Sequence, residues 1–243
     1  MKAMQKFVPV ILLLLTAGGH AMFKSDTLTT EKGPVVFTFI GHGTLMIQFG
    51  QTVVHVDPVS EYADYTKLPK ADLILVTHAH FDHLDPKAIA QITQSATRII
   101  AAPVCRDKAP KATLLANGEK IQEGELTIEA VPAYNLIHKR PDKQPFHSKG
   151  EGNGYIIHFA GKRIYIAGDT ENTPEMKTLK SIDVAFLPMN LPYTMTPEMV
   201  ADAARAFQPR ILYPYHYGDT DPGKLVSLLK SEKGIEVRIR DLR

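Results

Sequence analysis

Asp72-Leu73-Ile74-Leu75-Val76-Thr77-His78-Ala79-His80-Phe81-Asp82-His83 is the stretch on which the fold turns. Its first five residues, from Asp72 to Val76, are an apolar run bounded by one acid, short enough for a buried strand. The next residues place three imidazoles and a carboxylate between His78 and His83. A buried strand that empties into such a cluster delivers metal ligands to the edge of a sheet, where an ion can be reached from solvent. Neutral imidazole and carboxylate suit a divalent first-row metal such as zinc, and iron or manganese also. His78 and His80, two apart on nearly extended backbone, point the same way and can grip one ion. Asp82 and His83 lie where the chain turns and can face a second.

Upstream of this strand, Val35–Ile40, Thr44–Phe49 and Thr52–Val56 are short β-branched and aromatic runs. Gly41-His42-Gly43 and Gly50-Gln51 punctuate them, as in an antiparallel meander. Downstream, residues 86–94 read as a helix with Asp85 as its cap and Pro86 at its first position. Strands are expected at Arg98–Ala101 and Leu126–Val131, with a turn at Asn117-Gly118. The second half repeats the order: a hairpin from Tyr155–Phe159 to Arg163–Ala167, then a strand at Val184–Leu187. A helix capped by Thr196 runs to about Phe207, a strand covers Ile211–Tyr213, and Pro222–Lys233 and Ile235–Ile239 close the chain as helix and strand. Strands precede helices in each half, and no Pro/Ser-rich linker separates the halves. That pattern predicts an α/β (α+β) protein of two mixed sheets packed face to face, helices outside, in one domain over residues 22–243. The stretch from His138 to Gly152 reads as a long loop, and such loops in compact domains are usually functional or mobile.

The first 21 residues read as a leader. Lys2 and Lys6 precede the apolar run Phe7–Leu15, and Gly19 and Ala21 occupy the positions that signal peptidase reads. The run is too short for a membrane span of about 20 residues. Export to the periplasm or medium, with no stable membrane anchor after cleavage, is the expectation. Both leader charges are lysines, so cleavage takes the formal charge from +2 to zero. A neutral chain offers no electrostatic case for nucleic acid, so the expected partner is a small-molecule substrate. Cys105, the one cysteine, cannot form an internal disulfide and is expected as a buried thiol.

Other apolar runs also end in potential ligands, at Asp169 in Ile166-Ala167-Gly168-Asp169-Thr170 and at His216 in Pro214-Tyr215-His216-Tyr217. His-x-His-x-Asp-His after a strand, a later Gly-Asp-Thr and a late Pro-x-His-Tyr resemble the metallo-β-lactamase superfamily. Gly41-His42-Gly43-Thr44, Val56-Asp57-Pro58 and Tyr193-Thr194-Met195-Thr196 are similar to one branch of it, which includes ascorbate phosphate lactonases and N-acyl-phosphatidylethanolamine phospholipase D. The likeness spans about residues 35–218. It implies a four-layer αββα sandwich with two divalent ions at one edge. By that resemblance His78 and His80 hold the first ion; Asp82, His83 and His216 hold the second; and Asp169 bridges them.

The first ion needs one more histidine. Relatives usually place it just after a strand ending in Pro-Ala, where this chain has Val131-Pro132-Ala133-Tyr134-Asn135 and no histidine. His147 has the spacing to the next strand that related sequences show, and Gly150, Gly152 and Gly154 after it let the backbone turn tightly. His138 is the alternative, set among Lys139, Arg140 and Lys143 in a solvated, cation-rich stretch. His42 is expected to support the site more than to ligate, and His55 and His158, inside strands, to be structural. Tyr193, Met195 and Tyr217 are open between pocket and core. The resemblance implies a hydrolase in which two ions, zinc before manganese or iron, activate water against a phosphodiester, ester or lactone, with Asp82 orienting the attack. The alternatives are a di-iron oxidoreductase-like protein, a β-lactam hydrolase and a non-catalytic metal-binding module.

Overall fold

A computed structural model of the chain describes residues 23–243 and, ahead of them, two short strands, β1 (Thr16–Ala17) and β2 (His20–Ala21), which pair antiparallel. The rest of the expected leader, residues 1–21, lies outside the described residues. Two seven-stranded sheets follow in sequence. The first holds β3 (Ser25–Thr30), β4 (Gly33–Gly41), β5 (Thr44–Phe49), β6 (Thr52–Val56), β7 (Leu73–Val76), β8 (Arg98–Ala101) and β9 (Thr113–Leu114), side by side in chain order. The second holds β10 (Lys120–Glu123), β11 (Leu126–Ala133), β12 (Gly152–Phe159), β13 (Lys162–Ile166), β14 (Val184–Pro188), β15 (Ile211–Tyr215) and β16 (Glu236–Val237), again in chain order.

Each sheet begins as an antiparallel meander and ends parallel: β3 to β6 and β10 to β13 alternate, and every later neighbour runs the same way. The strand β7 explains why its sequence is apolar throughout. Leu73 and Leu75 enter the core between the sheets, while Ile74 and Val76 enter a second cluster with Ala88 and Ile92 of α1 (Pro86–Ile92). Alternate side chains of a strand leave on opposite faces, so a strand covered on both faces needs no polar residues. Between the sheets, Phe37 and Phe39 of β4 meet Phe186 of β14 and Tyr213 of β15, at ring separations of 5.7 and 5.3 Å. On the far side lie α2 (Pro174–Lys177), α3 (Pro197–Phe207) and α4 (Pro222–Leu228), which completes the expected helix–sheet–sheet–helix order. Among the described residues no helix is long and apolar enough to cross a membrane.

Capping sets the helix starts where the sequence placed them. Asp85 accepts from the Lys87 N–H and Thr196 from the Met199 N–H, with Pro86 and Pro197 at the first positions. Along α3, Val200, Ala201, Ala204 and Phe207 turn one apolar face inward. The closing helix is shorter than the expected Pro222–Lys233. At Leu229 the N–H reaches both Leu225 and Ser227 carbonyls, so the winding tightens and the helix stops. The strand expected at Ile211–Tyr213 extends through Pro214 to Tyr215, and the last strand shrinks to Glu236–Val237.

Candidate metal centre

The parallel strands of both sheets end at one edge, and open parallel sheets bind ligands beyond such carboxyl ends. β7 runs out into Thr77–His83, β13 into Asp169 and β15 into His216, while the turn from β4 to β5 brings His42 and the β11–β12 loop brings His147. Hydrogen bonds sew the sheets together here. The Tyr155 hydroxyl donates to the Val76 carbonyl at 2.8 Å, and the Asn153 N–H to the Thr77 carbonyl at 2.9 Å.

The side chains form two groups. In the first, His78 Nε2 lies 3.0 Å from His80 Nδ1, which lies 3.3 Å from His147 Nε2. Asp169 Oδ2 completes it, 3.2 Å from His147 Nε2 and 3.9 Å from His78 Nε2. In the second, Asp169 presents its other oxygen: Oδ1 is 3.4 Å from His83 Nε2 and 3.5 Å from His216 Nε2. Asp82 Oδ2 closes this group at 3.6 Å from His216 Nε2 and 3.3 Å from His42 Nε2. Atoms bound to zinc tetrahedrally at about 2.0–2.1 Å are about 3.3 Å apart, so both spacings suit a small cation.

A metal also fits because three of the ligand atoms have nothing else to bind. His83 Nε2, His216 Nε2 and Asp169 Oδ1 are buried without a hydrogen-bond partner, all directed at the same space. Leaving such groups unpaired costs about 1–3 kcal/mol each. Outer partners fix three of the imidazoles in the ligating form. His78 Nδ1–H donates to the Thr77 hydroxyl at 3.0 Å, which donates on to Asp57 Oδ2 at 2.7 Å. Asp57 also accepts from His83 Nδ1–H at 2.8 Å, and Asn135 Oδ1 accepts from His147 Nδ1–H at 2.7 Å. Each bond turns the opposite ring nitrogen toward the centre.

Charge follows from this packing. Burial pulls His83 down, but the carboxylates of Asp169 and Asp57 outweigh it and lift the imidazole to about 9. Burial pushes Asp169 up, and His216, His83 and His147 more than reverse this, holding its carboxyl well below the usual range. Asp82 behaves likewise: burial raises it, and His216 and His42 bring it far below the ordinary value. His78, fully enclosed, is driven well below the usual imidazole value by burial and by His83. An ion entering this site competes with protons already shared among these groups.

All seven residues singled out as ligands, His78, His80, Asp82, His83, His147, Asp169 and His216, are brought together. His42 joins them more closely than expected: its ring centre lies 3.6 Å from that of His216 at a tilt of 37°, and its Nε2 belongs to the second group. His138 stands apart, and its setting is not the solvated, cationic one expected. Its Nδ1 lies 2.6 Å from Glu171 Oε1, a carboxylate fully enclosed by protein. Nor do all three glycines after His147 make turns. Gly150 does, with φ +89°, whereas Gly152 and Gly154 lie inside β12. A Cβ on Gly154 would come within 2.8 Å of the Ala167 carbonyl, so close approach of backbone is what requires it. Tyr193 faces the cavity, while Met195 and Tyr217 are core. His55 and His158 bond Pro69 O and Glu129, away from the site. Cys105 is a buried free thiol.

Four contributors went unread in the sequence. Asn135 holds His147, and Glu171 holds Asn135. Arg140 and Phe81 line the cavity in front of the ligands. Asp57 did carry a signal, since it follows β6 as Asp169 follows β13.

Comparison with known proteins agrees with this geometry. Residues 36–216 match the model of the β-lactamase superfamily domain. A UPF0173 metal-dependent hydrolase from Anaeromyxobacter sp. (strain K) is 31% identical over 232 residues, covering 85% of each chain. The crystal structure of a Parabacteroides distasonis protein is 53% identical with a TM-score of 0.87, covering 91% of this chain and all of that one. Igni18, a metallo hydrolase from the archaeon Ignicoccus hospitalis, is 25% identical with a TM-score of 0.72 over 86% of this chain and 95% of its own. By its ligand groups, its paired sheets and these relatives, the chain belongs to the metallo-β-lactamase superfamily, among its metal-dependent hydrolases.

Proposed function

We propose that the protein is a two-ion hydrolase that cleaves a phosphodiester, ester or lactone in a small-molecule substrate. The observation that supports two ions over one is the division of Asp169, with Oδ2 in one ligand group and Oδ1 in the other. His78, His80 and His147 would hold the first ion, His83, His216 and Asp82 the second, and His42 stands beside the second as a further imidazole. Divalent ions in such a site polarise carbonyl or phosphoryl oxygens and bring the pKa of water from 15.7 to about 7.

The chain's own residues supply the rest. Asp82 is half-buried at the floor of a cavity of about 320 Å³ and is kept ionised by His216 and His42. A carboxylate held so acidic accepts a hydrogen bond and orients a water, but stores a proton poorly. Phe81, Phe146 and Tyr193 wall the cavity with aromatic surface, against which an apolar part of the substrate can rest.

Zinc is the proposed metal, with manganese and iron as outcomes that elemental analysis separates. Full-length protein purified with each metal should carry close to two ions per chain and hydrolyse bis(4-nitrophenyl) phosphate or a simple lactone, more readily than a β-lactam. Asp169→Ala should bring the metal content close to zero. Two ions retained in that variant would end the bridging assignment, and a loaded protein inert toward the whole panel would end the hydrolytic one.

A further inference from the structure

We propose that Arg140 forms an anion subsite in the active cavity: it binds an oxyanion of the substrate that is separate from the bond being cleaved. This rests on the hydrolase reading and narrows it to substrates carrying a carboxylate or phosphate beside an apolar group.

Arg140 lines the same cavity as Asp82 and Asp169. Most arginines of the described chain lie against a carboxylate, as Arg163 does near Glu129 and Arg240 near Asp26. Arg140 has none within reach among the described residues. Its one side-chain hydrogen bond is from Nη2 to the Phe146 carbonyl at 3.2 Å, which leaves most of a five-donor guanidinium free. The two cavity carboxylates do not neutralise it, because Asp82 and Asp169 are taken up by imidazoles.

The guanidinium is also held in place. It lies over the Phe146 ring at 5.1 Å from the centroid. Its backbone N–H donates to the Gln144 carbonyl at 2.8 Å, and Lys139 bridges Pro145 across the same small hairpin. At the root of that hairpin, the N–H groups of Leu136, Ile137 and His138 all donate to the buried Glu171 carboxylate, at 2.6–2.7 Å. An arginine fixed on such a base loses little freedom on binding, and its planar fork matches a carboxylate or phosphate.

The surroundings define the second half of the substrate. Phe146 stands perpendicular to Tyr193 with ring centres 5.1 Å apart. Phe81 leaves 79% of its surface in solvent beside the ligands, an exposure that an aromatic between two ligands has no folding reason to accept. A cation resting on one aromatic ring, in a cavity that Phe81 and Tyr193 also line, suits an anion attached to a ring or short hydrocarbon.

The test uses the zinc-loaded, full-length protein and two probes of one shape, 3-phenylpropanoate and its uncharged amide. Titration calorimetry should show the acid bound about tenfold tighter than the amide or better. Arg140→Ala should erase that preference while zinc content stays constant, and Arg140→Lys should restore part of it. Equal binding of acid and amide by the unaltered protein, or a preference that survives Arg140→Ala, overturns the proposal. Hydrolysis is scored separately with 4-nitrophenyl acetate and 4-nitrophenyl succinate. A preference for the succinyl ester that vanishes in Arg140→Ala extends the subsite to catalysis. Failure to cleave either ester counts against the hydrolytic reading and leaves the binding result to decide the subsite.

Discussion

His42, Asp57 and His216 have φ values of 52°, 44° and 47°, a left-handed backbone that costs an ordinary residue about 1–2 kcal/mol. All three sit at the centre, so the fold spends local stability to aim two imidazoles and the carboxylate behind a third. Gly43 belongs to the same arrangement for reasons of space. A Cβ there would lie 2.8 Å from His83 Cε1 and 3.5 Å from His216 Cδ2. Gly43→Ala should therefore weaken zinc binding about tenfold or more, read by competition with a chromophoric chelator, while far-ultraviolet dichroism stays native. Undiminished affinity would show that the rings can shift without loss. His55 provides a pH signal away from the metal. Burial lowers its imidazole to about 4, its Nε2–H donates to Pro69 O, and its Nδ1 has no partner. Since the folded value lies below the unfolded 6.5, its contribution is present above pH 6.5 and is lost as pH falls toward 4, on the order of 3 kcal/mol in all. His55→Gln should flatten the decline of Tm between pH 6.5 and 4.5, and a slope equal to that of the unaltered protein would refute this. At this scale the sequence was most legible where ligands are neighbours, from His78 to His83. Asn135 and Glu171 were not, because their roles exist only once residues 12 and 36 positions from Asn135 meet it.

Among the elements, the loop between β11 and β12 was read as functional or mobile. It delivers His147, which is buried, and it hangs from Glu171 by five hydrogen bonds. Removing that carboxylate strands three backbone N–H groups. Glu171→Ala should cost about 2–4 kcal/mol in chemical denaturation, and trypsin should cut faster at Lys139 and Lys143. Unchanged stability together with unchanged cleavage would mean that the loop is held by other contacts. The starts of α1 and α3 were read most accurately, since Asp85 and Thr196 announce them and proline follows each, whereas α2 went unread and α4 stops short of its expected end. The edge strand β3, Ser25-Asp26-Thr27-Leu28-Thr29-Thr30, was invisible for the opposite reason. It carries little apolar alternation, and what holds it is pairing with β4 and the burial of Asp26, whose carboxylate takes the Tyr213 hydroxyl at 2.6 Å and the Arg240 guanidinium. Those partners lie at the far end of the chain, beyond any local window.

In the whole molecule, two sheets of one design meet along a core that continues from one to the other, and the ions are expected where they meet. Zinc at a hundredfold its dissociation constant adds about 2.7 kcal/mol per site, enough to raise Tm by about 5–10 °C per site in a chain of this size. A chelator should reverse the rise, and identical melting with and without zinc would argue against ions bound by the folded state. We further propose that residues 1–21 are a cleaved export leader. Intact-mass measurement on protein from the native host should find a start near Met22, and a full-length cytosolic chain would refute it. The division of ligands between the sheets has a temporal consequence. His42, His78, His80, Asp82 and His83 emerge with the first half of the chain; His147, Asp169 and His216 come with the second. During refolding the early histidines alone would make an incomplete chelate, able to hold an ion only weakly. Tight capture waits until the second half has docked, so the rate at which zinc becomes resistant to a chelator should be the rate at which the two halves find each other.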